Sequence, residues 1–167
     1  MKIFYGKAIY DKKEINASIS VLKNKSLTLI DGPLVKKLEK NISLLFGKKY
    51  GLMVNSGSSA NLLALASLNL KKGDEVITPT LTFSTTVAPI YQLGLKPHFI
   101  DVEKNTFVSK IDQIEKEINK KTKAIMIPNL LGNVPDWKKI YKIAKRKNLK
   151  IIEDSADTIG YKVNNKN

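Results

Sequence analysis

Three short segments carry residue types suited to holding an anion, a flat ring and a cationic nitrogen. The first is Asn55-Ser56-Gly57-Ser58-Ser59-Ala60-Asn61, between an apolar run and a helical stretch. Small residues let backbone N–H groups approach an anion, the dipole of a helix N-terminus favours it, and serine hydroxyls supplement the amides. A phosphate monoester suits such a turn. The Gly-Lys-Ser/Thr of a nucleotide-triphosphate loop is absent, as is the Gly-x-Ser-x-Gly elbow of hydrolases. A plain serine-capped helix would have the same sequence, so this segment alone leaves both options open. The second segment, Thr78-Pro79-Thr80-Leu81-Thr82-Phe83-Ser84-Thr85-Thr86, opens another helix after a strand, with Phe83 at the turn. A flat aromatic there could stack on a planar heterocycle. On this segment alone the plainer reading is favoured, with Phe83 in the core and Ser84 or Thr85 capping the helix. The third segment, Ile151 to Gly160, places Glu153, Asp154 and Asp157 within five positions at the end of an apolar run. Buried acids are costly without partners. Asp154, at a strand's carboxyl end, could pair with a protonated pyridine nitrogen and so help a ring accept electrons from a neighbouring carbanion. It could also cap a helix, or the acids could gather a divalent cation. With no histidine nearby and no second acidic cluster, a metal site is not expected.

The elements that must position these groups follow from periodicity. Asp11-Lys12-Lys13-Glu14 has capping-box spacing, and Ile15, Ile19 and Leu22 follow at helical intervals. Asp31-Gly32-Pro33 starts a second helix, with Leu34, Val35, Leu38, Ile42 and Leu45 as its apolar stripe. From Tyr50 onward, short apolar runs alternate with helical stretches. Strands are expected at Gly51 to Asn55, Glu75 to Thr78, Lys96 to Ile100, Ala124 to Pro128 and Lys150 to Glu153. Helices are expected near Ser59 to Leu68, Thr85 to Leu93, Ile111 to Ile118 and Asp136 to Arg146, the last capped by Asp136. The strands are continuously apolar, as when helices cover both faces of a sheet. The order predicts an α/β fold with a mostly parallel sheet. Residues 1–49 form a helical lead-in and 50–167 a partial α/β domain. In such sheets ligands bind beyond the carboxyl ends of the strands, where all three segments fall.

Composition narrows the partners. The chain has 167 residues, 43% hydrophobic and 26% charged, and no cysteine. It reads as one ordinary globular domain without disulfides or thiolate chemistry. Its longest apolar run, around Leu62 to Leu68, is far short of a membrane helix, and the N-terminus lacks a signal-peptide pattern. A cytoplasmic protein is expected, with no membrane partner. His98 is the only histidine, which argues against a histidine-based triad. The net charge of +14 comes almost wholly from scattered lysines, with Arg146 the only arginine. A base-reading or strand-stacking surface calls for arginine clusters and exposed aromatics, so nucleic acid is not an expected partner. A basic surface would still attract a nucleotide-diphosphate substrate.

A phosphate cradle, a ring-stacking aromatic and a pyridinium partner in one crevice together describe a site for pyridoxal 5'-phosphate. The same segments resemble the DegT/DnrJ/EryC1/StrS sugar aminotransferases, within the fold type I pyridoxal-phosphate enzymes. The matching text is Val54 to Asn61, Gly73-Asp74-Glu75-Val76-Ile77-Thr78-Pro79, Thr82-Phe83-Ser84-Thr85-Thr86 and Glu153-Asp154-Ser155-Ala156. The likeness runs from about Phe4 to the last residue, and covers less than half of a typical member. It implies the N-terminal part of the transferase fold, with the sheet incomplete.

By this resemblance Ser58 and Ser59 hold the cofactor phosphate, Gly57 permits its close approach, Phe83 lies against the ring and Asp154 pairs with the ring nitrogen. Asp157 stands where aminotransferases of the family have Gln or His near the cofactor's phenolic oxygen. An acid there, together with Asn55 to Leu63 and Leu131-Gly132-Asn133, is similar to the branch that removes the C-3 hydroxyl of a CDP-linked 4-keto-6-deoxy sugar. That branch uses pyridoxamine phosphate and replaces the Schiff-base lysine with histidine. The lysine or histidine is expected beyond Asn167, and no catalytic residue is assigned within the chain. Lys162 and Lys166 follow too soon, in a polar tail that reads as the start of a hairpin. The resemblance implies transamination of a nucleotide-linked keto sugar for cell-surface polysaccharide, with glutamate as amino donor and a homodimer as the full-length form. The alternatives are the C-3 dehydratase, and an inactive fragment or interaction module; the chain alone is expected to be inactive.

Overall fold

The computed structural model describes residues 6–26 and 29–162. They fall into two compact units, Met1–Met53 and Val54–Asn167. The expected boundary at 49/50 lies inside the first unit, and the proposed hairpin in the tail lies largely outside the described residues.

The first unit holds α1 (Lys12–Lys23) and α2 (Pro33–Leu45). Asp11 caps α1 as its spacing predicts. Its side chain accepts from Lys13 N at 2.6 Å while Glu14 reaches back to Asp11 N at 2.8 Å. Such a cap is worth about 1 kcal/mol. In α2, Pro33 stands at the first turn, where its missing N–H costs nothing. The apolar stripes of both helices are exposed, Ile15, Ile19 and Leu22 on α1 and Leu34, Leu38, Ile42 and Leu45 on α2.

One predicted strand is absent. Residues 51–55 form no strand pairing. Gly51 lies so close to the Glu39 carbonyl that an added Cβ would overlap it, and Met53 N donates to Glu39 Oε1 at 2.8 Å. The segment spends hydrogen-bonding capacity on a helix side chain, and Leu52 and Met53 stay exposed. An apolar run without a partner ladder is not a strand.

The second unit alternates as the sequence predicts: α3 (Gly57–Ala66), β1 (Glu75–Pro79), α4 (Ser84–Gln92), β2 (Lys96–Ile100), α5 (Ile111–Glu117), β3 (Thr122–Pro128), α6 (Trp137–Lys147) and β4 (Lys150–Asp154). The strands order β2-β1-β3-β4, and every ladder is parallel. The two inner strands are almost wholly buried. Pro97, which cannot donate to a ladder, sits on edge strand β2.

Side chains alternate across the sheet and divide its core in two. Val76, Ala124, Met126 and Ile152 point to one face, where Leu65 of α3 and Ile90 of α4 pack on them. Ile77, Ile125 and Ile127 point to the other face, under Ile114 of α5 and Ile140, Ile143 and Ala144 of α6. Each valine, leucine, isoleucine or methionine among them contributes about 1.5–3 kcal/mol by leaving water. Burial on both faces explains the unbroken apolar runs of β1 and β3, which polar-outward strands would not show.

Candidate functional site

The site begins with the pleat of β4. Ile152 belongs to the face covered by α3 and α4, so Asp154, two residues on, projects to that face as well. There its Oδ2 accepts from Asn61 Nδ2 of α3 at 2.8 Å and from Thr86 Oγ1 of α4 at 3.0 Å. Its Oδ1 has a longer contact, 3.3 Å from Ala156 N. Asn61 and Thr86 are buried, at 8% and 0% exposure. Asn61 Nδ2 also reaches Thr85 O at 3.3 Å, so one carboxamide ties the starts of α3 and α4 to the end of β4.

Those two helix starts carry the other sequence-predicted residues. Ser56 caps α3 by accepting from Ser59 N at 3.1 Å, and its hydroxyl faces Ser59 Oγ at 3.2 Å. Gly57 and Ser58 occupy the exposed first turn. Ser58 stands three residues before Asn61, about 4.5 Å along the helix axis and on the same face. An added Cβ at Gly57 would meet no atom of the described residues within 4 Å, so their packing does not require glycine there. The Ser58 side chain has no hydrogen-bond partner among the described residues.

Phe83 is not a core residue. It is 66% exposed and is itself the N-cap residue of α4, while Ser84 and Thr85 make no side-chain cap. Thr86 N bonds back to Phe83 O at 3.0 Å, fixing the aromatic one turn from the residue that holds Asp154. Beside Phe83, Thr82 Oγ1 is buried without a partner among the described residues, as is Thr78 Oγ1 near the end of β1. Buried hydroxyls left unpaired are uncommon in folded proteins.

Asp157 takes a different position. Its Oδ2 accepts from Leu131 N at 3.0 Å. Leu131 has φ 54 and Gly132 φ 82, so this short turn (Leu130–Gly132) runs through the left-handed region. A leucine there carries strain of about 1–2 kcal/mol, which a charge-assisted bond from its N–H offsets. The three acids therefore do not converge: Asp154 faces α3 and α4, Asp157 the turn, and Glu153 the opposite face of the sheet. Among the described residues no cluster of His, Asp and Glu could hold a metal ion.

Asn61, Thr86 and Asn129 carry no sequence signal of a role in the site. Asn129 follows β3 and is 3% exposed. Its Nδ2 reaches Glu153 Oε1 at 2.9 Å, Ser155 Oγ at 3.1 Å and Thr158 Oγ1 at 3.3 Å, while its Oδ1 accepts from Trp137 Nε1 at 2.9 Å. Its backbone N–H donates to Asp154 O at 2.9 Å. The sequence shows only that Asn129 is a polar residue between the apolar end of a strand and Leu130-Leu131.

Known proteins resemble this chain in sequence and in fold. The chain is 41% identical over 163 residues to a GDP-4-keto-6-deoxy-D-mannose 3-dehydratase of Yersinia pseudotuberculosis, covering 94% of this chain and 41% of the relative. It is 38% identical over 135 residues to a GDP-perosamine synthase of Escherichia coli O157:H7, covering 81% of this chain and 37% of the relative. Among solved structures, an E. coli GDP-4-keto-6-deoxy-D-mannose-3-dehydratase with bound hydrated pyridoxal phosphate superposes with a TM-score of 0.88 at 39% identity, over 96% of this chain and 42% of that one. The chain thus spans about two fifths of the length of the proteins it matches. The model of the DegT/DnrJ/EryC1/StrS aminotransferase family matches residues 8–167, and the chain belongs to that family.

Proposed function

We propose that this chain forms the cofactor-binding part of a pyridoxal-phosphate enzyme that transaminates a nucleotide-linked keto sugar. One observation carries the reading. The Asp154 carboxylate, at the carboxyl end of β4, is hydrogen-bonded to the same two helices that bear Gly57-Ser58-Ser59 and Phe83 at their starts.

The residues present fit the group. Gly57 leaves open space where a side chain would stand, the Ser58 hydroxyl has no partner among the described residues, and Ser59 accepts from Ser56 while keeping its own hydrogen to donate. Phe83 offers an exposed aromatic face, and Asp154 Oδ1 keeps acceptor capacity. In this reading Ser58, Ser59 and the amides of α3 hold the phosphate, whose charge the helix N-terminus favours. Phe83 covers one face of the ring and keeps water from it. Asp154 holds a proton on the ring nitrogen. When bound, the cofactor supplies a sink for negative charge developing on a substrate carbon. The family implies glutamate as amino donor and a homodimer, and the composition supports a cytoplasmic setting; the names of the two relatives, both for GDP-linked sugars, support a nucleotide-sugar substrate.

A second reading, C-3 dehydration of a nucleotide-linked 4-keto-6-deoxy sugar, is favoured by a contact. Asp157 and Leu131, which lie in the two segments that resemble the dehydratase branch, are hydrogen-bonded to each other. Product analysis separates the readings. The protein expressed from the source gene is incubated with pyridoxal phosphate, glutamate and a GDP-linked 4-keto-6-deoxyhexose, and the sugar is analysed by mass spectrometry. An amino sugar supports transamination and a 3-deoxy sugar supports dehydration. Absence of both, with no uptake of pyridoxal phosphate, refutes the proposal. The codons after Asn167 give an independent check, lysine at the family's position for transamination and histidine for dehydration.

A further inference from the structure

Resting on the cofactor reading above, we infer that Asn61 and Thr86 are paired positioning residues for Asp154. Together they occupy Oδ2, and so turn Oδ1 toward the ring nitrogen.

The inference follows from counting donors and acceptors. An ionised carboxylate has two oxygens and about four acceptor sites. Oδ2 receives Asn61 Nδ2 at 2.8 Å and Thr86 Oγ1 at 3.0 Å, which fill its two sites. Among the described residues Oδ1 receives only the long contact of 3.3 Å from Ala156 N, and it keeps room for a further donor. All three contacts deliver hydrogens and none accepts one, as an acceptor-only carboxylate requires. The orientation of the Asn61 amide is settled by its neighbours. Its Nδ2 faces two acceptors, Asp154 Oδ2 and Thr85 O, and the flipped amide would put an oxygen against both. The Thr86 hydroxyl has a single hydrogen, fully buried, and gives it to Asp154.

The placement of the two donors adds a second consequence. Asn61 lies one turn beyond Ser58 on α3, and Thr86 lies one turn beyond Phe83 on α4. Each donor is therefore rigidly linked to a different part of the same site, the phosphate turn or the ring-facing aromatic. Meeting on one carboxylate oxygen, they fix the distance between those parts as well as the carboxylate plane. Rotation of Asp154 about its Cβ–Cγ bond would break both bonds at once, so the two donors act together.

The test uses the whole chain carrying Asn61→Ala, Thr86→Val or Thr86→Ser. Ring-nitrogen protonation is followed against pH with nitrogen-15-labelled pyridoxal phosphate, cofactor affinity by absorbance titration, and stability by thermal unfolding without cofactor. Asn61→Ala and Thr86→Val are each expected to weaken affinity about tenfold and to lower the pH at which the bound ring nitrogen loses its proton by about one unit, the scale of one lost bond to a charged acceptor. Thr86→Ser, which keeps the hydroxyl, restores both. An unchanged ring-nitrogen titration in both donor-deleted variants overturns the inference, even where thermal stability falls, because a structural role alone would give that result. Should Asn61→Ala fail to fold, Thr86→Val against Thr86→Ser decides the matter. If the wild-type chain does not take up pyridoxal phosphate, or Asp154→Ala takes it up equally well, the cofactor reading itself falls and this inference with it.

Discussion

Replacing Asn129 by alanine is expected to cost about 3–5 kcal/mol of stability, although Asn129 touches no proposed cofactor atom. Asn129 is 3% exposed and its side chain spans four partners. The two amide hydrogens are shared among three acceptors, so their net contribution is about 2–3 kcal/mol, with the larger part from the one reaching the Glu153 carboxylate. Truncation also leaves the half-buried Trp137 Nε1 without its acceptor, adding the cost of an unmade bond. Against a total stability of about 5–15 kcal/mol for a domain of this size, the variant would be close to unfolding. Trp137 is the only tryptophan, so urea unfolding followed by its fluorescence reports from the site of the change. Asn129→Asp sharpens the test. It keeps an acceptor for Trp137 but turns donors into an acceptor facing Glu153, and at neutral pH should destabilise at least as much as alanine. A loss below about 1 kcal/mol in both variants, with the denaturant slope and Trp137 emission unchanged, would refute the account of Asn129 as the tie between β3, β4 and α6.

Other expected outcomes follow from single contacts. Phe83→Ala should change stability by less than about 0.5 kcal/mol, because the ring is 66% exposed. It should weaken pyridoxal phosphate binding several-fold in an absorbance titration, on the scale of an aromatic contact; a large loss of stability with unaltered affinity would reverse that assignment. Asp157→Ala should cost about 1 kcal/mol and speed amide exchange at Leu131, whose N–H loses its acceptor. His98 lies between Glu117, 2.7 Å from Nε2, and Glu75, 3.2 Å from Nδ1. The Glu117 bond raises its pKa above the ordinary 6.5 against an opposing burial effect, with Glu75 adding to the rise. Asn119, then His98, lower Glu75 below its ordinary 4.5. The His98 contribution is therefore complete below pH 6.5 and lost as pH rises through the raised value, while that of Glu75 is lost as pH falls through the lowered one. Wild type should lose urea resistance as pH rises above 6.5, and His98→Gln should flatten that slope; equal slopes would refute it.

Much of the second unit was legible because burial on both faces leaves an unmistakable record. The runs Val76-Ile77, Ala124-Ile125-Met126-Ile127 and Ile151-Ile152 mark strands whose two sides are both covered. Asp11 and Asp136 gave true helix starts because capping is local chemistry, readable without tertiary structure. The failures were nonlocal. Residues 51–55 have the composition of a strand, yet pairing depends on a neighbour that composition does not reveal. Phe83 was compatible with a core and with a surface, since an aromatic residue carries the same letter in both. Asn61 and Thr86 showed no sign of their role, because the bonds to Asp154 cross 93 and 68 residues.

The neighbouring acids Glu153 and Asp154 show how the fold decides between equivalent groups. Both are carboxylates at the end of one strand, and no local rule separates them. The pleat does. Ile151 packs with the core under α5 and α6, and Ile152 with the core under α3 and α4. Glu153 continues the first alternation and meets Asn129, with its charge also raising the pKa of Tyr141 on α6, an effect that ranks behind burial. Asp154 continues the second and meets Asn61 and Thr86. A slip of one residue in the pairing of β4 would exchange the two sides, sending Glu153 toward α3 and α4 and Asp154 toward Asn129. The register is held by Ile125↔Ile151 and Met126↔Ile152, where a slip would drive apolar groups into the wrong layers. The choice of which acid faces the proposed cofactor therefore rests on isoleucine and methionine packing below it, and the chemistry of the site is inherited from the core.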